Sequence, residues 1–182
     1  MNGGVKFEDA LAARLQILQP SRQDIDACLT HHPFQLTPGI QELVRTLQER
    51  SIHVYLVSGG FRQMIEPVAA RLNIPLDRIY ANRILFDESN NYQYHGFDTA
   101  EPTSADQGKP KALHLIKQKG NYNTMVMVGD GATDAQAKPP ADSFIGFGGV
   151  VEREAVRTRA CWFVRDFQDM IAAVKEWKGK EC

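Results

Sequence analysis

The first fifty residues carry apolar side chains at intervals of three or four positions, which is the period of an amphipathic helix. Ser21, followed three residues later by Asp24, resembles a capping box and marks the start of a second helix. Thr37-Pro38 marks the start of a third. No strand pattern separates the first two helices, so we expect them to form part of a separate helical piece. The predicted helices of this segment span residues 7–18, 22–32 and the stretch that begins at 37.

From residue 52 onward the pattern changes. Residues 52–58, IHVYLVS, are almost continuously apolar, as in a strand buried on both faces of a parallel sheet. A hairpin is predicted over 86–97, with Asn90-Asn91 at its turn. Strands then alternate with helices to the end of the chain, which predicts an α/β fold with a parallel sheet. The other predicted strands lie near 79–81, 124–128, 143–147 and 161–164, and the other helices at 61–72, 110–119, just after 128, 152–159 and 166–177.

Composition excludes several classes of function. The 182 residues are 43% hydrophobic and 24% charged, as in a globular protein, and the net charge of -1 gives no electrostatic basis for binding nucleic acid or a membrane surface. No apolar run approaches the roughly 20 residues needed to cross a bilayer, and the N-terminus lacks the apolar core of a signal peptide. Cys28, Cys161 and Cys182 are odd in number and far apart, so we expect a cytoplasmic protein with reduced thiols.

Two stretches of candidate chemistry follow predicted strands, where open α/β sheets bind their ligands. Ser58-Gly59-Gly60 offers a hydroxyl and two unobstructed backbone N–H groups, which suit an anion, although a plain strand-to-helix turn would have the same residues. GDGATD places the carboxylates of Asp130 and Asp134 in one loop, and such oxygen ligands suit Mg²⁺. Alternatively, Asp130 lies in a turn and Asp134 stabilises the first turn of a helix through its dipole.

Two basic residues extend this set. Lys109, just after Gly108 at a predicted helix start, can hold a phosphate as a point charge, although most such lysines are simply solvated. Arg14 falls within the apolar stripe of the first helix, where it either extends to water or meets a carboxylate. Anion donors, a lysine and a carboxylate pair together predict a site that handles a phosphate monoester with Mg²⁺.

These motifs resemble the haloacid dehalogenase superfamily of phosphatases, whose later motifs are a Ser or Thr after a strand, a Lys at a helix start, and GDGxxD. Longer stretches are similar to its eukaryotic phosphoserine phosphatases, namely LTPGIQELVRTLQER, VSGGFRQMIEPVAARLNIP, ANRILF, GDGATDAQAKPPADSFIGFGG and W-F-V-x-D-F. The resemblance implies a Rossmann-like parallel sheet with a partial helical cap, with the cap remnant at 1–36 and the core at 37–182.

The resemblance also implies an enzyme that hydrolyses O-phospho-L-serine to L-serine and phosphate with Mg²⁺, the last step of serine biosynthesis. It implies that Ser58, Gly59, Gly60 and Lys109 bind the phosphate, and that Arg14 binds the substrate carboxylate. It places Thr133 beside phosphoserine, and Mg²⁺ on Asp130 with Asp134 as a ligand or supporting partner. Met1, Asn2 and Gly3 would belong to the segment that closes over the substrate.

One motif of the superfamily is not found in these residues. Its Asp-x-Asp-x-Thr follows the first strand, and its two aspartates are the nucleophile and the general acid/base. The one Asp-x-Asp here, Asp24-Ile25-Asp26, lies on a predicted helix and has Cys28 where the motif has Thr, so we reject it as the nucleophile. We therefore expect that the chain begins at an internal methionine, lacks the first, central strand, and is inactive and poorly stable by itself.

Two hypotheses of different classes follow. In the first, the sequence belongs to a phosphoserine phosphatase whose full-length parent is the active enzyme. In the second, it is a non-catalytic protein that binds phosphoserine, phosphate or a full-length subunit and regulates that subunit. A homodimer or a full-length partner subunit is the expected protein partner in either case, with no nucleic acid and no membrane.

Overall fold

The structure is a computed structural model, and it describes residues 6–177. The helices in this part of the chain are α1 (Phe7–Leu18), α2 (Arg22–His31), α3 (Ile40–Glu49), α4 (Arg62–Arg71), α5 (Gly108–Gly120), α6 (Ala132–Ala135), α7 (Glu154–Arg157) and α8 (Phe167–Glu176). The strands are β1 (Leu56–Phe61), β2 (Ile79–Asn82), β3 (Ile84–Asp87), β4 (Gln93–Phe97), β5 (Val126–Gly129), β6 (Ser143–Phe147) and β7 (Trp162–Val164).

The strands form parallel and antiparallel pairs in three sheets. β1 pairs with β2 in parallel, β5, β6 and β7 form a second parallel sheet in that order, and β3 pairs with β4 as an antiparallel hairpin. The α/β class with parallel sheets is thereby confirmed, and so is the predicted hairpin. Asn91 adopts a left-handed φ of 50° at its turn, a conformation that asparagine tolerates better than most residues.

The predicted strand over 52–58 is wrong in its first half. β1 begins at Leu56 and continues to Phe61, because its ladder begins where Leu56 meets Ile79, the first residue of β2. The apolar run was identified correctly, but the partner strand decides which of its residues form the ladder. The capping box at Ser21 and Asp24 is confirmed, since each residue's side chain accepts the other's backbone N–H group.

Contacts divide the chain into two compact units that are discontinuous in sequence. The first unit contains the described residues up to Gln35 together with Tyr55–Ala112. The second unit contains Leu36–Val54 together with the described residues from Leu113 onward. The division into a cap remnant at 1–36 and a core at 37–182 stays a prediction.

The core of the first unit joins the N-terminal helices to the hairpin. Leu11 and Leu15 of α1 and Ile25 of α2 are buried against Ile84 of β3. Phe61 at the end of β1 and several apolar residues of α2, α4 and the hairpin pack around this cluster. As a result, α1 is fixed close to the end of β1.

The core of the second unit lies between α3, α8 and the three-stranded sheet. Leu43 of α3, Phe147 and Val164 of the sheet, and Ile171 of α8 are all buried in one cluster. The rings of Phe147 and Phe167 stack with their centroids 4.1 Å apart. β6, which carries Phe147, pairs with β5, and the last residue of β5, Gly129, begins the GDGATD loop.

β1 and β5 each have one paired edge. Within the described residues, β1 has a ladder with β2 only and β5 with β6 only. The expectation that a first, central strand is missing stays a prediction. Among the described helices, none is long and apolar enough to cross a membrane.

Candidate active site

β1 departs from regular pairing near its end, at the residues that the sequence singled out, and this irregular stretch, Ser58–Gly60, is called the Gly59 loop below. The β1–β2 ladder shifts between Ser58 and Phe61, which takes Gly59 and Gly60 out of the regular pairing. The Ser58 hydroxyl accepts the Gly60 N–H at 3.0 Å and so closes a tight turn. Both glycines are exposed, so backbone groups here can approach a ligand without a side chain in the way.

Asn82 hydrogen-bonds to this loop, and the sequence pattern did not single it out as a site residue. Its side chain is fully buried at the end of β2. Its Nδ2 donates to the Gly59 carbonyl at 2.8 Å, and its Oδ1 accepts the Thr103 hydroxyl at 3.0 Å. The signal that could have found it is an amide at the end of the short apolar strand Ile79–Asn82, since a buried amide requires partners.

Thr103 carries this connection on to the start of α5. A Cβ placed on Gly108 would lie 2.6 Å from the Thr103 Cα and 2.8 Å from the Pro102 carbonyl oxygen, so only glycine allows α5 to begin so close to that turn. Lys109 is the second residue of α5 and is half-buried. The Gly59 loop and Lys109 are therefore held together in the first unit through Asn82 and Thr103.

Arg14 and Gly59 line one cleft in the first unit. The cleft has a volume of about 440 Å³, and the Phe7, Leu11 and Phe61 side chains contribute to its mostly apolar wall. Among residues 6–177 the exposed Arg14 guanidinium has neither a hydrogen bond nor an ion pair. Arg14 is thus exposed in the lining of this cleft and meets no carboxylate among residues 6–177, and its role toward a substrate stays a prediction.

The first turn of α1 is tied to the loop that precedes α5. The Glu8 carboxylate accepts the Asp106 backbone N–H at 3.0 Å. Hydrogen bonds from the backbone N–H groups of Glu8 itself and of Asp106 hold the pKa of the Glu8 carboxyl below its ordinary value. The Phe7 ring lies 3.7 Å from the position of a Cβ on Gly59, so larger side chains at residue 59 would meet this ring.

The GDGATD loop lies in the second unit, between β5 and α6. Asp134 is buried, and its carboxylate accepts the Gly131 N–H at 2.9 Å. A Cβ on Gly129 would lie 2.2 Å from the Asp134 Cγ, so the side chain of Asp134 folds back over a position that only glycine can fill. Asp134 thus lies in the first turn of α6 and its carboxylate shapes the loop, while its role toward a metal ion stays a prediction.

Asp130 presents the accessible carboxylate of this loop. It is half-exposed and forms an ion pair with Arg153, whose Nη1 also donates to the Asp130 backbone carbonyl at 2.7 Å. Within the described part of the chain, no group of three or more His, Cys, Asp or Glu side chains could hold a metal ion. The donor chemistry nevertheless fits Mg²⁺, which proteins often bind through one or two carboxylates with phosphate oxygens completing the shell.

The remaining predicted residues fall into three groups. Thr133 is exposed on α6, three residues after Asp130 in the GDGATD motif. Met1, Asn2 and Gly3 lie outside the described residues. Asp24 and Asp26 lie on α2, where Asp24 accepts hydrogen bonds from the backbone and hydroxyl of Ser21 at 2.8 and 2.6 Å, so the helical position predicted for this Asp-x-Asp is confirmed.

Comparison with known proteins identifies relatives. The family described as haloacid dehalogenase-like hydrolase matches residues 1–139. The phosphoserine phosphatase of Bos taurus is 49% identical over 176 residues, which cover 97% of this chain and 77% of the relative. A phosphoserine phosphohydrolase-like protein from Francisella tularensis is 29% identical, with a TM-score of 0.77 over 95% of this chain and 79% of its own. A substrate-bound phosphoserine phosphatase structure, 22% identical with a TM-score of 0.76 over 95% of this chain and 80% of its own, shares the fold.

Proposed function

The chain belongs to the phosphoserine phosphatases of the haloacid dehalogenase-like hydrolases, and from this we propose that the Arg14 cleft binds O-phospho-L-serine. The single observation that carries this proposal is that an arginine without a partner among residues 6–177 shares a cleft with Gly59 of the anion loop. The full-length parent enzyme would catalyse the hydrolysis of phosphoserine to L-serine and phosphate, the last step of serine biosynthesis. We place it in the cytoplasm, because the three cysteines of the sequence are odd in number and widely spaced.

The cleft offers separate groups for the two anionic ends of the substrate. The Arg14 guanidinium can hold the α-carboxylate through two parallel hydrogen bonds, since its donors have the fork geometry of a carboxylate. The exposed backbone at Gly59 and Gly60, the Ser58 hydroxyl and the Lys109 ammonium suit the phosphate. Asn82 fixes the Gly59 carbonyl, which keeps the loop in one conformation for binding.

The GDGATD loop supplies the cation side of the proposal. Haloacid dehalogenase phosphatases are in general metal-dependent, and we propose Mg²⁺ for this chain, held by Asp130 with Asp134 as a ligand or supporting partner. When bound, Mg²⁺ would neutralise charge on the phosphate. Asp134 keeps Gly129 and Gly131 in the geometry that presents Asp130, and Thr133 is proposed to lie beside the substrate. Arg153 pairs with Oδ2 of Asp130, so a cation would bind the other carboxylate oxygen or compete with this guanidinium.

We further propose that these 182 residues alone bind phosphoserine without hydrolysing it. The superfamily forms an aspartyl-phosphate on the first aspartate of Asp-x-Asp-x-Thr. Here the one Asp-x-Asp is on α2, and the hydrogen bonds from Ser21 hold the pKa of Asp24 below its ordinary value in a capping role. This observation supports the second candidate function, a non-catalytic phosphoserine-binding protein that regulates a full-length subunit or pairs with a second copy of itself.

A pair of ligands tests the role of Arg14. Calorimetry should show that Arg14→Gln weakens phosphoserine binding by roughly 10-fold or more, because a charge-assisted hydrogen bond contributes about 1.5–3 kcal/mol. The same variant should leave the affinity for O-phosphoethanolamine, which has no carboxylate, nearly unchanged. Arg45→Gln, which alters an exposed arginine on α3, is the matched control. Equal weakening of both ligands by Arg14→Gln would contradict the assignment.

A further inference from the structure

A second cleft in the first unit is not part of the candidate active site. It has a volume of about 510 Å³, and its wall is formed by the start of α2, the first turns of α4 and the β3–β4 hairpin. This volume is within the range of roughly 300–1,000 Å³ that is typical of small-molecule sites. None of the residues proposed to bind phosphoserine lines it.

Hydrogen bonds hold one wall of this cleft in place. The Arg62 guanidinium donates to Glu66 at 3.0 Å and to the carbonyls of Ile79 and Leu76 at 2.8 and 2.6 Å. The Gln63 amide donates to the Ile84 carbonyl at 2.8 Å and so ties α4 to β3. The charge of Arg62 is thereby balanced within the wall, and the wall is formed before any ligand arrives.

Two other arginines of the cleft keep donors available. Arg83 is exposed and has no side-chain hydrogen bond or ion pair among residues 6–177. Arg22 has one acidic neighbour, Asp26 at 3.9 Å, a distance beyond a hydrogen bond. Of the two carboxylates that line the cleft, Glu66 pairs with Arg62, which leaves Glu88 in the lining with the two other guanidinium groups.

The rest of the lining is apolar and aromatic. Leu85 and Tyr92 are both more than one-third exposed, and Phe86 is half-buried beside them. The Arg22 backbone N–H donates to the Tyr92 carbonyl at 3.0 Å, which holds the start of α2 against the turn of the hairpin. An apolar surface next to two guanidinium groups is complementary to a ligand with an apolar body and an anionic head.

We propose that this cleft is a binding site for a small organic anion, with a carboxylate or phosphate head held by Arg22 and Arg83 and an apolar, preferably aromatic, body on Leu85, Phe86 and Tyr92. A bound ligand would bridge α2 and the hairpin, two elements that pack on the same core as α1. The site is separate from the phosphoserine cleft and does not depend on the function proposed for that cleft.

Titrations with simple probes, followed by ¹H–¹⁵N NMR, test this site. Phenylacetate and phenyl phosphate both have a phenyl ring, and they carry a carboxylate and a phosphate group respectively. 2-Phenylethanol has the phenyl ring but no charge. Phenylacetate, phenyl phosphate or both should shift the amide signals of residues 83–92, whereas 2-phenylethanol should bind at least about tenfold more weakly. The head group that binds more tightly identifies the class of the ligand.

Three variants identify the groups responsible. The double variant Arg22→Gln with Arg83→Gln should weaken the tighter probe at least about tenfold, while Arg71→Gln, an exposed arginine at the other end of α4, should have no effect. Arg22 and Arg83 are exposed, so we expect their replacement to leave the thermal midpoint unchanged. An unchanged midpoint will show that the double variant is folded. Unchanged probe affinity in the double variant, or absence of binding by both anions, overturns the proposal. Binding lost in Arg14→Gln instead places the probe in the phosphoserine cleft and overturns this inference alone.

Discussion

At the scale of single residues, Asn82 has a larger role than its position suggests. It is the one fully buried amide that connects the Gly59 loop with Thr103 within the described residues, and both ends of its side chain have partners. A buried polar group costs little when paired and about 1–3 kcal/mol when its partner is removed. The amide at the end of a short apolar strand hints at a buried Asn82, but its partners lie 23 and 21 positions away along the chain, so local patterns do not show what it binds.

Replacing this amide should affect both stability and binding. Asn82→Leu leaves the Gly59 carbonyl and the Thr103 hydroxyl without partners, so we expect a loss of about 2–4 kcal/mol in the free energy of unfolding. Urea denaturation measures this loss, and phosphoserine affinity should fall with it. Thr103→Val, which removes one hydroxyl and keeps the bond to Gly59, should cost less than Asn82→Leu. An equal cost for the two variants would mean that the bond to Gly59 contributes nothing.

Cys161 offers a second test at this scale. Its Sγ lies 2.9 Å from the Lys138 Nζ, and the hydrogen bond from this ammonium is the main cause that lowers the pKa of the thiol from 9.0 to about 7. Since the thiolate is the reactive form, alkylation of Cys161 by iodoacetamide should rise with pH and reach half its maximal rate near pH 7. Lys138→Gln should move this midpoint to higher pH. A midpoint that does not move in Lys138→Gln would show that the ammonium is not the cause.

At the scale of elements, one face of α1 serves both the core and the cleft. Leu11 and Leu15 are buried in the core of the first unit and also line the cleft that Arg14 faces. The apolar period was strong enough to predict the bounds of this helix correctly, and the same is true of β6. β1 was placed too early because an apolar run does not show where the partner strand begins.

The packing of α1 can be tested with a matched pair of substitutions. Leu15 is 1% exposed and Ile17 is 84% exposed on the same helix. Leu15→Ala should lower the free energy of unfolding by about 2–5 kcal/mol, because it removes buried methyl groups and leaves a cavity. Ile17→Ala should change it by about 0.5 kcal/mol or less. Denaturant melts measure both, and a similar cost for the two would contradict the orientation of α1.

At the scale of the whole molecule, the sequence predicted the family, the α/β class and most elements. It did not predict that Leu36–Val54 belongs with the C-terminal half while Tyr55–Ala112 belongs with the N-terminal helices. That division depends on α3 packing against α8 and on β1 pairing with β2, which are contacts between distant segments. Local patterns cannot encode such pairings, whereas a motif such as GDGATD can be recognised from adjacent residues alone.

The exposed valines of β5 bear on the stability of the chain. Val126 and Val128 are 46% and 37% exposed, although they lie in a parallel strand, a type that is usually buried. An apolar strand with an open edge favours association. We therefore expect the purified chain to melt broadly, with a midpoint below about 45 °C, or to associate as its concentration rises. Calorimetry with light scattering measures both, and a sharp, high-temperature melt of a monomer would contradict this expectation.

The most direct test of the central claim combines binding and turnover in one sample. The account predicts that phosphoserine with Mg²⁺ shifts the NMR signals of the Gly59, Gly60 and Lys109 amides in a saturable manner, while no phosphate is released above background. Phosphate release that is lost in Asp130→Asn would contradict the proposed lack of turnover. Saturable binding that leaves the Gly59 and Gly60 signals unchanged would contradict the placement of the substrate in the Arg14 cleft.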